Sequence, residues 1–380
     1  MITRSGWGAL IGTVVLLASW PLLRYPELAG LGATGLVVLA GAALWMVARP
    51  QVRVVRRIEP ARVVEDGDAR GVLSVTNVGR RRCPPFVAVE SVGDERVAVT
   101  LPSLAAGAAR DVDYPLPTHR RGVHPVGPLT VGHSDPLGLF RAGRSYPSHA
   151  RLWVYPRLHP LVPLPTGRSR EVDGRTSALA PSGGVAFHSL REYERGDDLR
   201  LIHWPSTART GTIMIRHHVV PHEPRMLVLL DTSAAPYTDA SFEAAIRVAA
   251  SLAVAAFDGG HPVEVRTTGG ARAAAERGVS ARGELLDLFT EAVRTERDPG
   301  LAGLLGLGQD GDGAALGIVT GTPGQAMLDA VGPALRRFAT VSLALIGERR
   351  GGPAPVVPGA FTVAAATSDE FAAAWNRTAR

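Results

Sequence analysis

Two long apolar runs at the start of the chain constrain its fold most strongly. Residues 6–23 and 28–48 contain no charged side chain, and at about 1.5 Å per helical residue each can cross a hydrocarbon core of about 30 Å. Only four residues, Arg-Tyr-Pro-Glu at 24–27, separate them. Because a break this short brings both helix ends back to one side, the sequence predicts a transmembrane helical hairpin over residues 1–50.

The placement of arginines predicts how this hairpin is oriented. Five arginines lie within residues 49–62 and Arg4 precedes the first run, whereas Arg24 alone lies in the short loop. Cytoplasmic flanks carry an excess of arginine, so we expect a two-helix cell-membrane protein with both termini and all soluble domains in the cytoplasm. A cleaved signal peptide is the alternative, but the first run exceeds an h-region of about 7 to 15 residues and a second run follows at once.

The basic residues are all arginine. The chain has 41 arginines and no lysine against 35 acidic residues, which gives a net charge of +6. A P-loop and a Schiff base each need a lysine, so the protein is not itself a P-loop ATPase. We find no arginine and aromatic pattern of the kind that lines a nucleic-acid groove, and we expect no nucleic acid as a partner. Cys83 is the single cysteine, so no intrachain disulfide is possible.

The first stretch after the hairpin has a period of two. Residues 97–101 and 112–116 alternate apolar side chains with polar or small ones, which is typical of half-buried strands. Glycine-containing turns near residues 79, 93 and 107 separate these short runs. Residues 51–156 are therefore predicted to form an antiparallel β-sandwich, followed by a connector over residues 157–225 that begins rich in Pro, Gly, Ser and Arg.

From residue 226 apolar runs alternate with helical patterns. This alternation predicts a doubly wound α/β domain over residues 226–380. The expected strands are 226–230, 262–265, 315–319, 341–346 and 361–365, and the expected helices are 241–257, 282–294, 323–338 and 368–378.

The densest polar segment of the chain, residues 188–211, lies just before this domain. It interleaves charged residues, a tyrosine and a tryptophan with few aliphatic residues, which is not the composition of a core. One interpretation is a structured arm whose arginines and carboxylates pair with one another. The other is a recognition surface, because arginine, tyrosine and tryptophan dominate interface energies.

This segment resembles the bacterial family that shares domain of unknown function 58. The resemblance rests on Arg-Glu-Tyr at 191–193, on Gly-Asp-Asp-x-Arg-x-Ile-x-Trp at 196–204, on Ala-Arg-Thr-Gly at 208–211, and on the apolar strand that ends in Asp-Thr-Ser at 231–233. It extends to residues 121–140 and to the hairpin. His203 and Pro205 stand where the family often has an acidic and a basic residue around the tryptophan.

The resemblance implies a von Willebrand factor A-like domain on a membrane anchor that works with a MoxR-type AAA+ ATPase. A transglutaminase-like membrane protein often accompanies such pairs. The implied role is a non-enzymatic adaptor or scaffold in the assembly or remodelling of envelope or secreted proteins. We predict that the partner surface comprises Arg191, Glu192, Tyr193, Gly196, Asp197, Asp198, Arg200, Trp204 and Arg209.

The same resemblance implies where a cation would bind. Such domains hold a divalent ion with an Asp-x-Ser-x-Ser loop, a threonine and a further aspartate, oxygen ligands that suit magnesium. Asp231 and Ser233 match, but Ala235 replaces the second serine, and Thr-Gly-Thr at 320–322 stands where the aspartate is expected. Threonine 267 or 268 can supply the remaining hydroxyl. One carboxylate predicts weak magnesium binding at most; otherwise Asp231 caps the following turn or helix.

Two catalytic or metal alternatives remain. A metal-dependent hydrolase would need Asp197, Asp198, His203 and Asp231 to converge in one cleft, although no Gly-x-Ser-x-Gly, His-Glu-x-x-His or Cys-x-x-Cys pattern supports catalysis. Zinc at the histidine cluster 217–222 is disfavoured because adjacent residues of an extended segment point to opposite faces. We therefore predict no catalytic residues.

Overall fold

A computed structural model describes most of the chain. The described residues are 2–47, 51–147, 150–163, 187–194, 199–218, 225–276, 281–302, 314–329, 331–348, 355 and 357–378. The chain divides into two compact units, Met1–Arg157 and Leu158–Arg380.

The first unit begins with the expected pair of helices. Helix α1 spans Arg4–Leu23 and α2 spans Pro26–Val47. Arg24 ends α1 in the left-handed conformation, with φ of 53°, and Pro26 opens α2, where the fixed φ of proline suits the first turn. Both helices are long and apolar enough to cross a membrane, and their side chains are mostly exposed, which suggests membrane anchoring.

Two glycines of α2 lie directly against side chains of α1. A Cβ atom on Gly35 would lie 2.3 Å from the Thr13 Oγ1 atom, and one on Gly32 would lie 2.6 Å from the Leu17 side chain. Small residues at such positions let helix backbones pack directly against each other. The hairpin is therefore a packed pair rather than two independent helices.

The described residues of the first unit beyond the hairpin include nine strands. A three-stranded sheet has the order β1-β3-β6, and a second sheet has the order β2-β9-β7-β4-β5, with β8 also paired to β7. Residues from both sheets share one apolar cluster. The strands are β1 Val52–Glu59, β2 Arg62–Val64, β3 Arg70–Asn77, β4 Phe86–Val92, β5 Glu95–Leu101, β6 Ala109–Pro115, β7 Gly122–Ser134, β8 Arg141–Tyr146 and β9 Ala150–Tyr155.

The expected antiparallel sandwich is only partly right. Strand β2 pairs with β9 in parallel, so the second sheet is mixed. The chain leaves the first sheet at Glu59 and joins the edge of the second at Arg62, and this short crossing sets the direction of β2. A period of two identifies a strand but carries no information on the direction of its partner.

A buried ion pair joins the two sheets through their common core. Arg56 on β1 pairs with Glu90 on β4, and their side chains are 2% and 0% exposed. Glu90 Oε2 accepts a hydrogen bond of 2.7 Å from the Tyr114 hydroxyl on β6, and Arg56 Nη2 donates one of 2.7 Å to the Val126 carbonyl on β7. Burial, together with the hydrogen bond to Glu90, raises the pKa of Tyr114 far above its ordinary value.

The second unit is built on a six-stranded sheet. Its order is β14-β13-β12-β15-β16-β17, and all neighbours are parallel except β14. Among the parallel strands this is the order 2-1-3-4-5 of doubly wound folds. The elements are β10 Phe187–Glu192, α3 Trp204–Thr210, β11 Met214–His218, β12 Met226–Leu230, α4 Asp239–Asp258, β13 Val263–Thr267, β14 Arg272–Ala275, α5 Ala281–Glu291, β15 Ala315–Thr320, α6 Gln325–Asp329, α7 Gly332–Leu335, β16 Thr340–Ile346, β17 Phe361–Ala365 and α8 Ser368–Thr378.

Helices cover both faces of this sheet. Residues of α4, α5 and α8 form the apolar cluster on one face, and residues of α6 and α7 belong to a separate cluster on the other. Helix α4 is apolar enough to cross a membrane, but 72% of it is buried, so it is a core helix. The helix expected over 323–338 is two short ones, because proline 333 cannot donate a backbone hydrogen bond.

Candidate functional site

Polar side chains gather where the central parallel strands end. Asp231 follows β12, Thr268 follows β13, and Thr320 is the last residue of β15. In an open α/β sheet, ligands bind outside the carboxyl ends of the strands at the point where the strand order reverses, which here lies between β12 and β15. We call these residues, with Thr232, Ser233 and Asp298, the oxygen cluster.

Asp231 organises the turn after β12. The residue is fully buried, and its Oδ1 atom accepts hydrogen bonds from Ser233 N at 3.0 Å and Ser233 Oγ at 2.6 Å. Its Oδ2 atom accepts one from Thr320 Oγ1 at 2.7 Å. Asp231 therefore caps a turn, whereas helix α4 is capped by Thr238.

A second carboxylate, Asp298, was missed by the sequence analysis. Its Oδ2 atom accepts from Thr268 Oγ1 at 2.6 Å and from Thr232 Oγ1 at 2.5 Å. Thr268 Oγ1 also lies 3.4 Å from Asp231 Oδ1, so one hydroxyl stands between the two carboxylates. The structure therefore brings two carboxylates together where the sequence predicted one.

Asp298 reaches the cluster because the chain returns after α5 to the turn that follows β12. Thr295 N donates to the Thr232 carbonyl at 2.9 Å, and Thr295 forms a bridge with Ser233. The sequence around Asp298 has no spacing typical of a metal site, and the Pro-Gly that follows it indicates only a turn. Of the two candidate threonines, Thr268 supplies the hydroxyl, while the Thr267 hydroxyl accepts from the Ala271 backbone.

The oxygen cluster has the donor chemistry that magnesium prefers. Its side chains offer two carboxylates and four hydroxyls, all hard oxygen ligands. Within the described part of the chain, no group of three or more His, Cys, Asp or Glu residues can hold a metal, so only two charges face a cation. Burial and the nearby charges of Asp231 and Asp298 raise the pKa of Tyr237 well above its usual value, so this neighbour stays neutral.

A cavity of about 900 Å³ is lined by Ala235 and Thr322, each two residues beyond a member of the oxygen cluster, although no member of the cluster lines it. It lies between the first turns of α4 and α8, and Ala235, where a second serine was sought, is part of its wall. Among the described residues, Arg247, Glu348 and Asp369 are the charged members of the wall. This volume is in the range of small-molecule sites, about 300 to 1,000 Å³.

The polar segment forms a compact arm, residues 187–194 and 199–218, which we call the signature arm. Strands β10 and β11 pair antiparallel, and α3 lies between them in sequence. Ile202 and Ile215 form a bridge and are 8% and 2% exposed. Met214 fastens α3 to β11, because its carbonyl accepts from His203 N at 2.7 Å and its N–H donates to Thr207 Oγ1 at 3.0 Å.

The signature arm exposes apolar side chains. Trp204 is 67% exposed at the start of α3, and Leu199 and Ile213 are also exposed. Of the other predicted partner residues, Glu192 and Arg209 are exposed and Tyr193 is half-buried. Only the backbones of Arg191 and Arg200 are described, and Gly196, Asp197 and Asp198 lie outside the described residues.

The residues of the alternative hydrolase site have separate surroundings where they are described. His203 Nδ1 contacts Ser206 Oγ at 2.8 Å within the arm, whereas Asp231 contacts the oxygen cluster. The two other aspartates lie outside the described residues, as does histidine 222 of the zinc alternative. The stretch Met214–His218 is a strand, as the argument against zinc required.

A family model described as "Protein of unknown function DUF58" matches residues 189–287. This match supports the DUF58 family. The matched residues contain most of the signature arm, Asp231, Ser233 and Thr268, but not Asp298. No curated protein matches the chain.

Several solved structures share short or loose similarity with the chain. A domain of a cell surface protein from Methanosarcina acetivorans is 20% identical and covers 28% of this chain and 91% of that one, with a TM-score of 0.21. The Pseudomonas fluorescens alkylpurine DNA glycosylase AlkC is 17% identical. The match covers 30% of this chain and 34% of that one, with a TM-score of 0.20. A β-glucuronidase from Bacteroides uniformis is 9% identical. The match covers 78% of this chain and 33% of that one, with a TM-score of 0.16. At these scores none of them informs the function of this chain.

Proposed function

We propose that the protein is a membrane-anchored, non-enzymatic adaptor for a MoxR-type AAA+ ATPase. In this role it helps to assemble or remodel envelope or secreted proteins, and a transglutaminase-like membrane protein is a further candidate partner. The observation that carries the proposal is the exposed Trp204 on the signature arm. The resemblance to domain of unknown function 58 supplies the identity of the ATPase.

The arm favours docking because it is internally fixed while its apolar side chains face outward. Backbone pairing and the contacts of Met214 hold α3 in place, so a partner would meet a preorganised tryptophan. Binding to a preorganised side chain loses little conformational entropy. Tryptophan and arginine are also the residues most enriched in binding hot spots, and Arg209 is exposed on the same helix.

The second unit supports a von Willebrand factor A-like fold. Its parallel strand order, with the antiparallel edge strand β14, places Asp231, Ser233 and Thr268 at the carboxyl edge of the sheet. This is the edge at which such domains hold their cation.

A pull-down from native membranes tests the adaptor role. Tagged full-length protein is compared with Trp204→Ala and with Val293→Ala, a matched control because Val293 is an apolar side chain 72% exposed outside the arm. Mass spectrometry of the eluates should show a AAA+ ATPase with wild type and Val293→Ala and its loss with Trp204→Ala. Equal recovery with Trp204→Ala would reject the arm as the docking surface, and absence of the ATPase from every eluate would reject the partner.

We also propose that both soluble units face the cytoplasm. The support is the excess of arginine at the two outer ends of the hairpin. A Val293→Cys variant should stay unlabelled by a membrane-impermeant maleimide in spheroplasts and become labelled after lysis. Labelling in intact spheroplasts would show that the orientation is the opposite of the one proposed.

The oxygen cluster supports a second and weaker role in binding a divalent cation. Asp298 adds a carboxylate to Asp231, and two carboxylates with hydroxyls resemble sites that bind magnesium through a few charged ligands and water. Because two charges compensate poorly for dehydrating the ion, we expect weak binding. Isothermal titration of the purified protein with magnesium chloride, beside Asp298→Asn, tests this role.

A further inference from the structure

A loop of the first β domain packs against the ends of the two apolar helices. The loop spans residues 135–140, between β7 and β8. Leu139 and Phe140 form one apolar cluster with Leu39 and Ala42 of α2 and with residues 9–10 of α1. The loop is thus attached to the hairpin through side chains that belong to the predicted membrane spans.

Backbone contacts hold the loop at this place. Thr3 N donates to the Leu139 carbonyl at 2.9 Å, and Thr3 Oγ1 donates to the Gly138 carbonyl at 2.7 Å. A Cβ atom on Gly6 would lie 2.2 Å from the Leu139 carbonyl oxygen, so the first turn of α1 touches the loop backbone directly. The loop therefore follows the hairpin wherever the hairpin sits.

The internal geometry of the loop is also fixed. Asp135 Oδ2 accepts from Leu137 N at 3.0 Å, and its Oδ1 atom accepts from Phe140 N at 2.6 Å. Burial opposes ionisation, but these backbone N–H groups hold the pKa of Asp135 below its usual range. Asp135 holds the base of the loop through these two bonds, and Leu137 at the tip has 62% of its surface exposed.

The contacts set the depth of the loop. Leu39 and Ala42 lie eight and five residues before the end of α2, which is about 12 and 8 Å along the helix axis. Trp7 and Trp45 lie at the same end of the hairpin and are exposed, and tryptophans concentrate at the membrane interface. Thr3, which contacts Gly138 and Leu139, lies four residues before Trp7, so a hairpin inserted in a bilayer would hold this loop near the level of Trp7.

We propose that the tip of this loop inserts into the lipid interface beside the hairpin. The ligand is the bilayer itself, with Leu137 among the upper acyl chains and the exposed guanidinium groups of Arg4 and Arg141 near lipid phosphates. The first β domain is then a peripheral membrane domain as well as a tethered one. This inference rests on the membrane anchoring in the proposed function.

Site-specific fluorescence tests the insertion. Single cysteines replace Leu137, Asp94 and Val37 in full-length Cys83→Ala protein, are labelled with nitrobenzoxadiazole, and are studied in liposomes of phosphatidylcholine and phosphatidylglycerol. Asp94 is the matched control, because the β4–β5 turn lies next to Val126, eight residues or about 26 Å along β7 from the loop. Val37 is exposed in the middle of α2 and reports whether the hairpin is inserted.

We expect labels at 37 and 137 to have iodide quenching constants at least about fivefold below that at 94, because an ion does not enter the apolar layer. Lipids with a nitroxide high on the acyl chain should quench the label at 137 but not at 94. Equal iodide quenching at 137 and 94, with the label at 37 protected, overturns the insertion alone. Iodide access to the label at 37 overturns the anchoring and the insertion together.

Discussion

The buried ion pair between Arg56 and Glu90 makes the first β domain sensitive to one substitution. Glu90→Leu removes the carboxylate but leaves the guanidinium in a site where its side chain is 2% exposed. It also removes the acceptor of the Tyr114 hydroxyl. Because the remaining charge is buried without its counter-ion, we expect the free energy of unfolding of this domain to fall by about 3 to 5 kcal/mol.

Cys83 provides a local assay in the full-length protein. It is the single cysteine, 3% exposed, and belongs to the same apolar cluster as the residues around the ion pair. Because the side chain is buried, labelling by a thiol reagent requires the domain to open, and burial also raises the pKa of the thiol in the folded domain. At about 1.36 kcal/mol per factor of ten, the labelling rate of Glu90→Leu should rise about 100-fold or more.

Two controls separate the buried charge from other effects. Arg57 and Asp111 form an exposed pair, 3.8 Å apart and about 60% exposed. Asp111→Ala should therefore change the free energy of unfolding by less than about 1 kcal/mol. The double variant Arg56→Met/Glu90→Leu should recover part of the loss, since it removes both charges. A labelling rate for Glu90→Leu within threefold of wild type, or a double variant worse than the single one, would refute the argument.

Three further substitutions test other contacts. Gly71→Ala would place a Cβ atom 2.1 Å from a ring carbon of Tyr114, whereas the control Gly143→Ala makes an ordinary contact at 3.5 Å. Only Gly71→Ala should therefore accelerate Cys83 labelling, by a factor that corresponds to an overpacking cost of about 1 to 3 kcal/mol. Gly35→Val should lower the thermal aggregation temperature in detergent by separating the helices, and Gly41→Val, where a Cβ meets nothing within 4 Å, should leave it unchanged. Asp298→Asn weakens hydrogen bonds to a charged acceptor, which are worth about 1.5 to 3 kcal/mol each. Amide hydrogen exchange should therefore become faster in peptides that cover the turn after β12. An unchanged exchange rate would contradict the observed bonding.

The type of most helices and strands could be predicted from the sequence, because the spacing of hydrophobic residues reflects which side chains are buried. Strands 226–230 and 361–365 have the predicted bounds, and the charge-free runs at the start are helices as expected. Strand β14 was missed because Arg-Ala-Ala-Ala has little β propensity; its place comes from antiparallel pairing with β13 across a Gly-Gly turn. The parallel pairing of β2 is likewise set by tertiary contacts that leave no local signal.

The candidate sites were less predictable for the same reason. Asp231 and Ser233 could be found because they follow a recognisable strand, whereas Asp298 comes from a segment that reaches the cluster only through the tertiary fold. The exposure of Trp204 also depends on the tertiary structure, because the same residue types occur in exposed arms and in cores. Its composition predicted that the segment is not a core, and the structure shows which side chains remain outside.

The contact between Thr3 and the loop at 138–139 also constrains the order of assembly. These residues are separated by about 135 positions in the chain, so both apolar helices have been synthesised long before their partner exists. An inserted hairpin would therefore wait at the membrane while the β domain is made, and the domain would complete its fold against a surface that is already in place. With the hairpin inserted, the last contact of the first unit to form would then be the one made at the membrane.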